Sequence, residues 1–198
     1  MKIIGLTGNI ASGKSSVSAL LRELGAEVID MDRIGKEIQD MNYQDVISKI
    51  RLVFGKGVIH NNKIDRRMLA QIVFSNSKAL KNLNGVMIPL MTEKLNALVL
   101  EYKLRNARLV VIDAAILFEA GWDKLVDATW LVYASKEVQL KRLMLRENIS
   151  EKEALKRINS QMDIDTKIKN ADVVINNSGD FEEMRRDVVE LWKKLVST

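Results

Sequence analysis

Apolar residues fall along this chain in two alternating rhythms. Short continuous runs occur at Lys2–Thr7, Glu27–Asp30, Leu109–Asp113, Ala128–Tyr133 and Ala171–Ile175. They have the length of strands, and Leu109-Val110-Val111-Ile112 has no polar alternation, as expected of a strand covered on both faces. Between these runs the apolar positions recur every three or four residues, which is the spacing of an amphipathic helix. Val17, Leu20, Leu21 and Leu24 form the first such stripe, and Gly25 stands where a C-terminal glycine cap belongs. Ile34 and Ile38 open a second helix after the strand ending at Asp30.

Residues 42 to 105 read as mostly helical, with stripes at Val46, Ile47, Ile50 and Val53, at Met68, Leu69, Ile72 and Val73, at Leu80 and Leu83, and at Leu95, Leu98, Val99 and Tyr102. Asp65 and Ser77 are predicted N-caps, and Pro89, the only proline, suits the first turn of the last of these helices. Ser135 caps a helix rich in Lys and Arg, Ser150 with Glu153 has the capping-box pattern, and Asp180 opens a final helix burying Phe181, Met184, Val188, Leu191 and Leu195. Strands alternating with helices predict a doubly wound α/β fold, a five-stranded parallel sheet with a helical insertion between strands two and three. Ligands then bind beyond the strand C-termini. The 198 residues are expected to form one domain: a core of 1–32 and 106–198, an insertion at about 33–105 and a lid at about 138–165.

Composition narrows the chemistry. With 47% hydrophobic and 29% charged residues the chain belongs with globular proteins. It has no cysteine, so disulfides and thiolate metal sites are excluded, and its single histidine, His60, rules out a histidine metal cluster. His60 precedes Asn61 and Asn62 and is expected in a solvated turn. No apolar run reaches membrane-spanning length and the N-terminus enters a strand directly, so the expectation is a cytoplasmic protein with no membrane partner. The net charge of +5 is spread along the chain without an aromatic-interleaved basic stripe. It suits small anionic ligands and gives no reason to expect nucleic-acid binding. The apolar content of the insertion fits its own core and a subunit contact equally, leaving the oligomeric state open.

The chemistry concentrates at the end of the first strand. Gly8-Asn9-Ile10-Ala11-Ser12-Gly13-Lys14-Ser15-Ser16 is a P-loop between a strand and a helix. Its backbone N–H groups and helix N-terminus suit a phosphate chain, Lys14 reaches the β- and γ-phosphates, and the Ser15 hydroxyl suits Mg²⁺. Asn9 tolerates a left-handed conformation whereas Ala11 is expected at negative φ. Asp113, ending a buried strand, either supports the metal through a water or simply closes the strand. Asp32 is placed to act as a base on a substrate hydroxyl, or to N-cap a helix starting at Arg33, roles that need not exclude one another. Arg142, Arg146 and Arg157 lie on two lid helices, with Arg142 the best placed to meet phosphoryl charge, and Gln161 ends the segment as a hinge or lid contact. A GTPase switch is disfavoured because Ala114, Ala115 and Ile116 follow Asp113 where a glycine three residues on is expected, and no Asn-Lys-x-Asp guanine reader is present. An ATP-driven mechanical protein would need more chain.

These residues resemble the dephospho-CoA kinase family over nearly the whole chain. The resemblance is carried by Gly5 through Ser16, Leu24-Gly25, Val28 through Asp32, Ile64 through Leu69, Val73-Phe74 and Asp113 through Glu119. It continues in Gln139-x-x-Arg142-Leu-x-x-Arg146, Arg157-x-x-x-Gln161 and Ala171 through Gly179. It implies a P-loop nucleoside-kinase-like three-layer fold and transfer of the ATP γ-phosphoryl to the ribose 3′-hydroxyl of dephospho-CoA, with Mg²⁺. By resemblance Asp32 is the base, Lys14 and residues 8 to 16 hold the ATP phosphates, and Arg142 belongs to the lid. Asn176 and Gly179 would lie near adenine, Leu117, Phe118 and Glu119 would border the acceptor, and the insertion would help form the coenzyme-binding lobe. The chain departs from the family pattern at Ile88-Pro89, where His-Pro is usual, at Asn9 and Ala11 in place of loop glycines, at Ser16 for Thr, and at Asp113-Ala-Ala for Asp-Ile-Pro.

Overall fold

A computed structural model describes residues 1–40 and 44–196. The chain divides into two compact units, one of Met1–Asp30 together with the chain from Leu100 onward, the other of Met31–Val99.

The first unit holds a five-stranded sheet built from β1 (Lys2–Gly8), β2 (Glu27–Asp30), β5 (Leu109–Asp113), β6 (Ala128–Tyr133) and β7 (Val173–Asn176). Their order is β2-β5-β1-β6-β7 and every pairing is parallel. The order reverses at β1, so its C-terminal end opens at a topological switch point, where α/β proteins bind ligands. Leu6 stands opposite Asp113 on one side and Trp130 on the other, which brings the end of β5 alongside the start of the P-loop. β5 is buried at all five positions, as its unbroken apolar run requires.

One face of the sheet is covered by α1 (Lys14–Glu23) and α9 (Phe181–Val196). Val17, Leu20, Leu21, Met184 and Val188 pack there on Ile4, Leu6, Val111, Trp130 and Ile175. α1 ends in a Schellman motif: Gly25, at φ 102, donates its N–H to the Arg22 carbonyl at 3.0 Å and Ala26 donates to Leu21 at 2.9 Å. After β6 come α6 (Lys136–Glu147), α7 (Glu151–Asn159) and α8 (Ile164–Asn170). Ser135, Ser150 and Asp163 cap them by accepting from the N–H groups of Val138, Glu153 and Thr166. The reciprocal half of the capping box is replaced, because the Glu153 carboxylate takes Arg157 instead.

The second unit contains α2 (Met31–Asp40), α3 (Gln44–Phe54), α4 (Arg66–Val73) and most of α5 (Ser77–Leu104). Residues 42 and 43, the start of the predicted helical stretch, lie outside the described residues. A small hairpin not predicted from periodicity joins α3 to α4: β3 (Ile59–His60) pairs antiparallel with β4 (Lys63–Ile64). Its two-residue turn is Asn61-Asn62, at φ 49 and 59, the left-handed pair that matches hairpin twist. His60 is therefore the last residue of a strand, with its side chain solvated near Asp65. Gly35 sits under Met91, whose Cε would come within 3.2 Å of a Cβ added there.

Two helix starts differ from expectation. Asp65 caps α4 by accepting from the Met68 N–H at 2.9 Å, but the cap of α5 is Asn76, which accepts from Ala79 at 3.1 Å, and Ser77 is already helical. Pro89 lies deep inside the 28-residue α5 and not in a first turn. A proline there leaves only the carbonyl four residues back without its donor, and the helix continues through.

Candidate active site

The P-loop is shaped by two glycines for different reasons. Gly8 ends β1, and a Cβ there would meet Ser12 Oγ at 2.5 Å and the Val132 carbonyl at 2.7 Å, so close approach demands its bareness. Gly13, at φ 93, is the left-handed residue from which α1 starts. Ser12 donates its N–H to the Asn9 carbonyl at 3.0 Å, closing the turn. Ala11 also adopts a left-handed conformation, φ 59, contrary to the negative φ expected for a residue with a Cβ. Tertiary packing accounts for it, since Ile10 and Ala11 lie against Leu143, Ala154 and Ile158 of α6 and α7.

Lys14 forms an ion pair with Asp113, both side chains being largely buried. The strand register makes this possible: Asp113 ends β5 beside Leu6, two residues before Gly8. Ser15 is exposed on the first turn of α1, and Ser16 donates its backbone N–H to the Gly13 carbonyl at 2.9 Å.

Of the three arginines on α6 and α7 singled out in the sequence, Arg142 alone is found over the loop. Its Nη1 lies 3.9 Å from where a Gly13 Cβ would be. This nitrogen is buried without a hydrogen-bond partner among the described residues, as is Ser12 Oγ. A buried guanidinium donor without an acceptor costs free energy, and an anion at the P-loop would satisfy it. Arg146 and Arg157 point elsewhere: Arg146 pairs with Glu147 at 2.7 Å, and Arg157 pairs with Glu147 and, at 2.8 Å, with Glu153. The Arg157–Glu147 pair joins α7 to α6, while the other two lie within one helix each.

Gln161, just after α7, accepts the Ile10 N–H on Oε1 at 2.7 Å and so holds the P-loop directly. A cavity of about 330 Å³ opens next to it, bounded by Asn9, Tyr133, Ala134, Gln139 and Met162.

After β7 the two asparagines take different tasks. Asn176 is exposed and accepts the Ser178 N–H at 3.0 Å, forming the turn that leads to exposed Gly179. Asn177, which the sequence reading missed, is buried and donates Nδ2 to the Ser12 carbonyl at 2.7 Å, while its N–H reaches the Tyr133 carbonyl at 2.7 Å. It ties the P-loop to the end of β6, and its Nδ2 would clash with any Gly13 side chain at 1.9 Å. The adjacent Asn pair was its only trace in the sequence.

Beyond Asp113 the chain turns sharply. Leu117 is fully buried and packs over Gly5, so it anchors this turn from the interior, while Phe118 and Glu119 are partly accessible. Asp32 is exposed in the first turn of α2, which begins at Met31 and not at Arg33, so it is inside the helix and does not N-cap it. A carboxylate there still meets the positive end of the helix dipole.

This arrangement can hold an anion at a helix N-terminus, neutralise it with Lys14 and Arg142, and bring Asp113 alongside. The model of the dephospho-CoA kinase family matches residues 2–183. The chain is similar to the dephospho-CoA kinase of Carboxydothermus hydrogenoformans, 43% identical over 98% of this chain and 94% of the relative. It is also similar to the solved dephospho-CoA kinase of Campylobacter jejuni, 30% identical with a TM-score of 0.70 over 98% of each chain. Shikimate kinase from Bacteroides thetaiotaomicron, at 17% identity and a TM-score of 0.54, shares the fold over 98% of each chain. On sequence and fold together, the chain belongs to the dephospho-CoA kinase family.

Proposed function

We propose that the protein transfers the γ-phosphoryl group of ATP to the ribose 3′-hydroxyl of dephospho-CoA, giving coenzyme A and ADP, the last step of coenzyme A biosynthesis. The observation that carries this reading is the family match over residues 2–183 on a chain whose P-loop ends in Gly13-Lys14-Ser15. The P-loop supports ATP as the donor, and the acceptor rests on the family.

In this reading the N–H groups of residues 8 to 16 and the Lys14 ammonium bind the phosphates, and Arg142 lends its unpaired donor to charge developing on the transferred group. Asp32 takes the proton of the attacking hydroxyl as that oxygen bonds to the γ-phosphorus and the β–γ bridging P–O bond breaks. Asn176 and Gly179 lie towards adenine, while Phe118 and Glu119 border the acceptor. The hard oxygen donors Ser15 Oγ and, through a water, Asp113 fit Mg²⁺, which would neutralise phosphate charge. Lys14 would then exchange Asp113 for phosphate. Catalysis here is mostly positioning and electrostatics.

A coupled ADP-release assay with Mg·ATP tests the function, comparing dephospho-CoA with AMP, adenosine, pantetheine and no acceptor. Turnover confined to dephospho-CoA is expected. Turnover of another acceptor would leave a P-loop kinase and remove the assigned substrate, and ATP binding with no turnover on any acceptor would remove the kinase reading.

A further inference from the structure

One lysine in the sheet unit is wholly buried. Lys167, on α8, has a side chain with no solvent exposure, donates Nζ to the Ala115 carbonyl at 2.8 Å and pairs with Glu119 Oε1 at 3.0 Å. The Ala115 carbonyl also accepts the Thr7 hydroxyl of β1 at 3.3 Å. Both groups lie in the turn that follows Asp113, whose first residue, Ala114, donates its N–H to Leu6 at 2.9 Å.

A buried ammonium is a poor way to gain stability, because an apolar side chain of similar volume usually serves as well or better. Its value is in fixing geometry. Residues 114 to 119 are held at one end beside Asp113, which takes Lys14, and at the other by Lys167. With Oε1 engaged, the Glu119 carboxylate is oriented, and its Oε2 is buried without a partner among the described residues. An oriented carboxylate oxygen lacking a donor suits a hydroxyl or amino group of a ligand.

We propose that Lys167 is a positioning residue for the acceptor: through Glu119 and the Ala115 carbonyl it fixes the 114–119 turn so that Glu119 receives a hydroxyl or amino donor of the acceptor nucleoside. This rests on the kinase reading above. Lys167 touches neither substrate itself, and its loss acts on the acceptor and not on ATP.

Steady-state kinetics with both substrates varied, together with thermal melts, test this on wild type, Lys167→Met, Glu119→Gln and the double variant, which removes the pair together and leaves no unpaired buried charge. We expect the KM for dephospho-CoA to rise about tenfold or more in Lys167→Met and Glu119→Gln, with the KM for ATP within about twofold. The double variant should be no worse than the worse single one, because both act on one contact. A lowered melting temperature with a wild-type acceptor KM, or equal rises in both KM values, would overturn the proposal. If Lys167→Met fails to fold, an unchanged acceptor KM in the double variant or in Glu119→Gln overturns it equally. Absence of wild-type turnover on dephospho-CoA would instead remove the functional reading and this inference with it.

Discussion

Single residues here are shaped by what surrounds them as much as by their own preferences. Ala11 takes a left-handed conformation that costs roughly 1–2 kcal/mol for a residue with a Cβ, because it packs beside Ile10 on Leu143, Ala154 and Ile158 of α6 and α7. Asn177 is an unremarkable polar residue in the sequence, yet as a buried bridge from β7 to Ser12 it sets the height of the loop over Gly13. Asp32 illustrates the converse: its side chain is exposed, in the first turn of α2. Asp32→Asn keeps the size of the side chain and removes the proposed base. Turnover should fall by roughly 10²–10⁴ with ATP affinity nearly unchanged, read by steady-state rates alongside calorimetric ATP titration. Near-normal turnover would take Asp32 out of the mechanism.

At the scale of elements, α6 and α7 form a helical hairpin clipped by charge. Asn148, at φ 50, turns the chain between them. Glu147 is the hub, and the Arg146 hydrogen bond first, aided by the charges of Arg157 and Arg146, holds its carboxyl below the ordinary value of 4.5. A depressed carboxyl contributes stability that is complete above its unfolded value and lost as the pH falls through the lower folded one. Because the site is partly solvated and screened, its worth is below about 1 kcal/mol. Glu147→Gln should therefore melt slightly below wild type at neutral pH, and the two curves should converge as the pH falls below 4.5 and through the depressed folded value. A difference that is constant with pH would mean that the clip acts by packing alone.

For the whole sheet-bearing unit, a polar junction at the start of the outer strand β7 adds to its parallel ladder with β6. The Thr129 N–H and hydroxyl both donate to Asp172 Oδ2 at 2.7 Å, and Asp172 returns its N–H to Thr129. The Thr129 hydroxyl is the main cause, and its N–H the second, of a carboxyl held below the usual 3.8. This stabilisation is present at neutral pH and lost as the pH falls through the depressed folded value. Thr129→Val keeps the shape and removes the hydroxyl. Unfolding by urea should lose about 1 kcal/mol, and the acid side of the stability profile should become shallower below about pH 4. An unchanged profile would show that the backbone N–H alone sustains the junction.

The strands, their order along the chain, the P-loop and most of the helices were legible in the sequence, because these are local facts: apolar runs, period 3.6, caps and a glycine turn that carries its own geometry. So was the kinship, since its motifs are contiguous words such as Gly8 through Ser16. The hairpin at Ile59–Ile64 escaped because two-residue strands have no period to detect, and the proline inside α5 escaped because neighbouring turns sustain a helix that local preference would end. Only the tertiary structure decided which charges meet. Lys14 with Asp113, Arg142 over Gly13, Asn177 with Ser12 and Lys167 with Glu119 join residues 48 to 165 positions apart in the chain. Such pairs follow from strand order and register, and a side chain's neighbours across a sheet are set by that topology and not by anything written beside it in the chain.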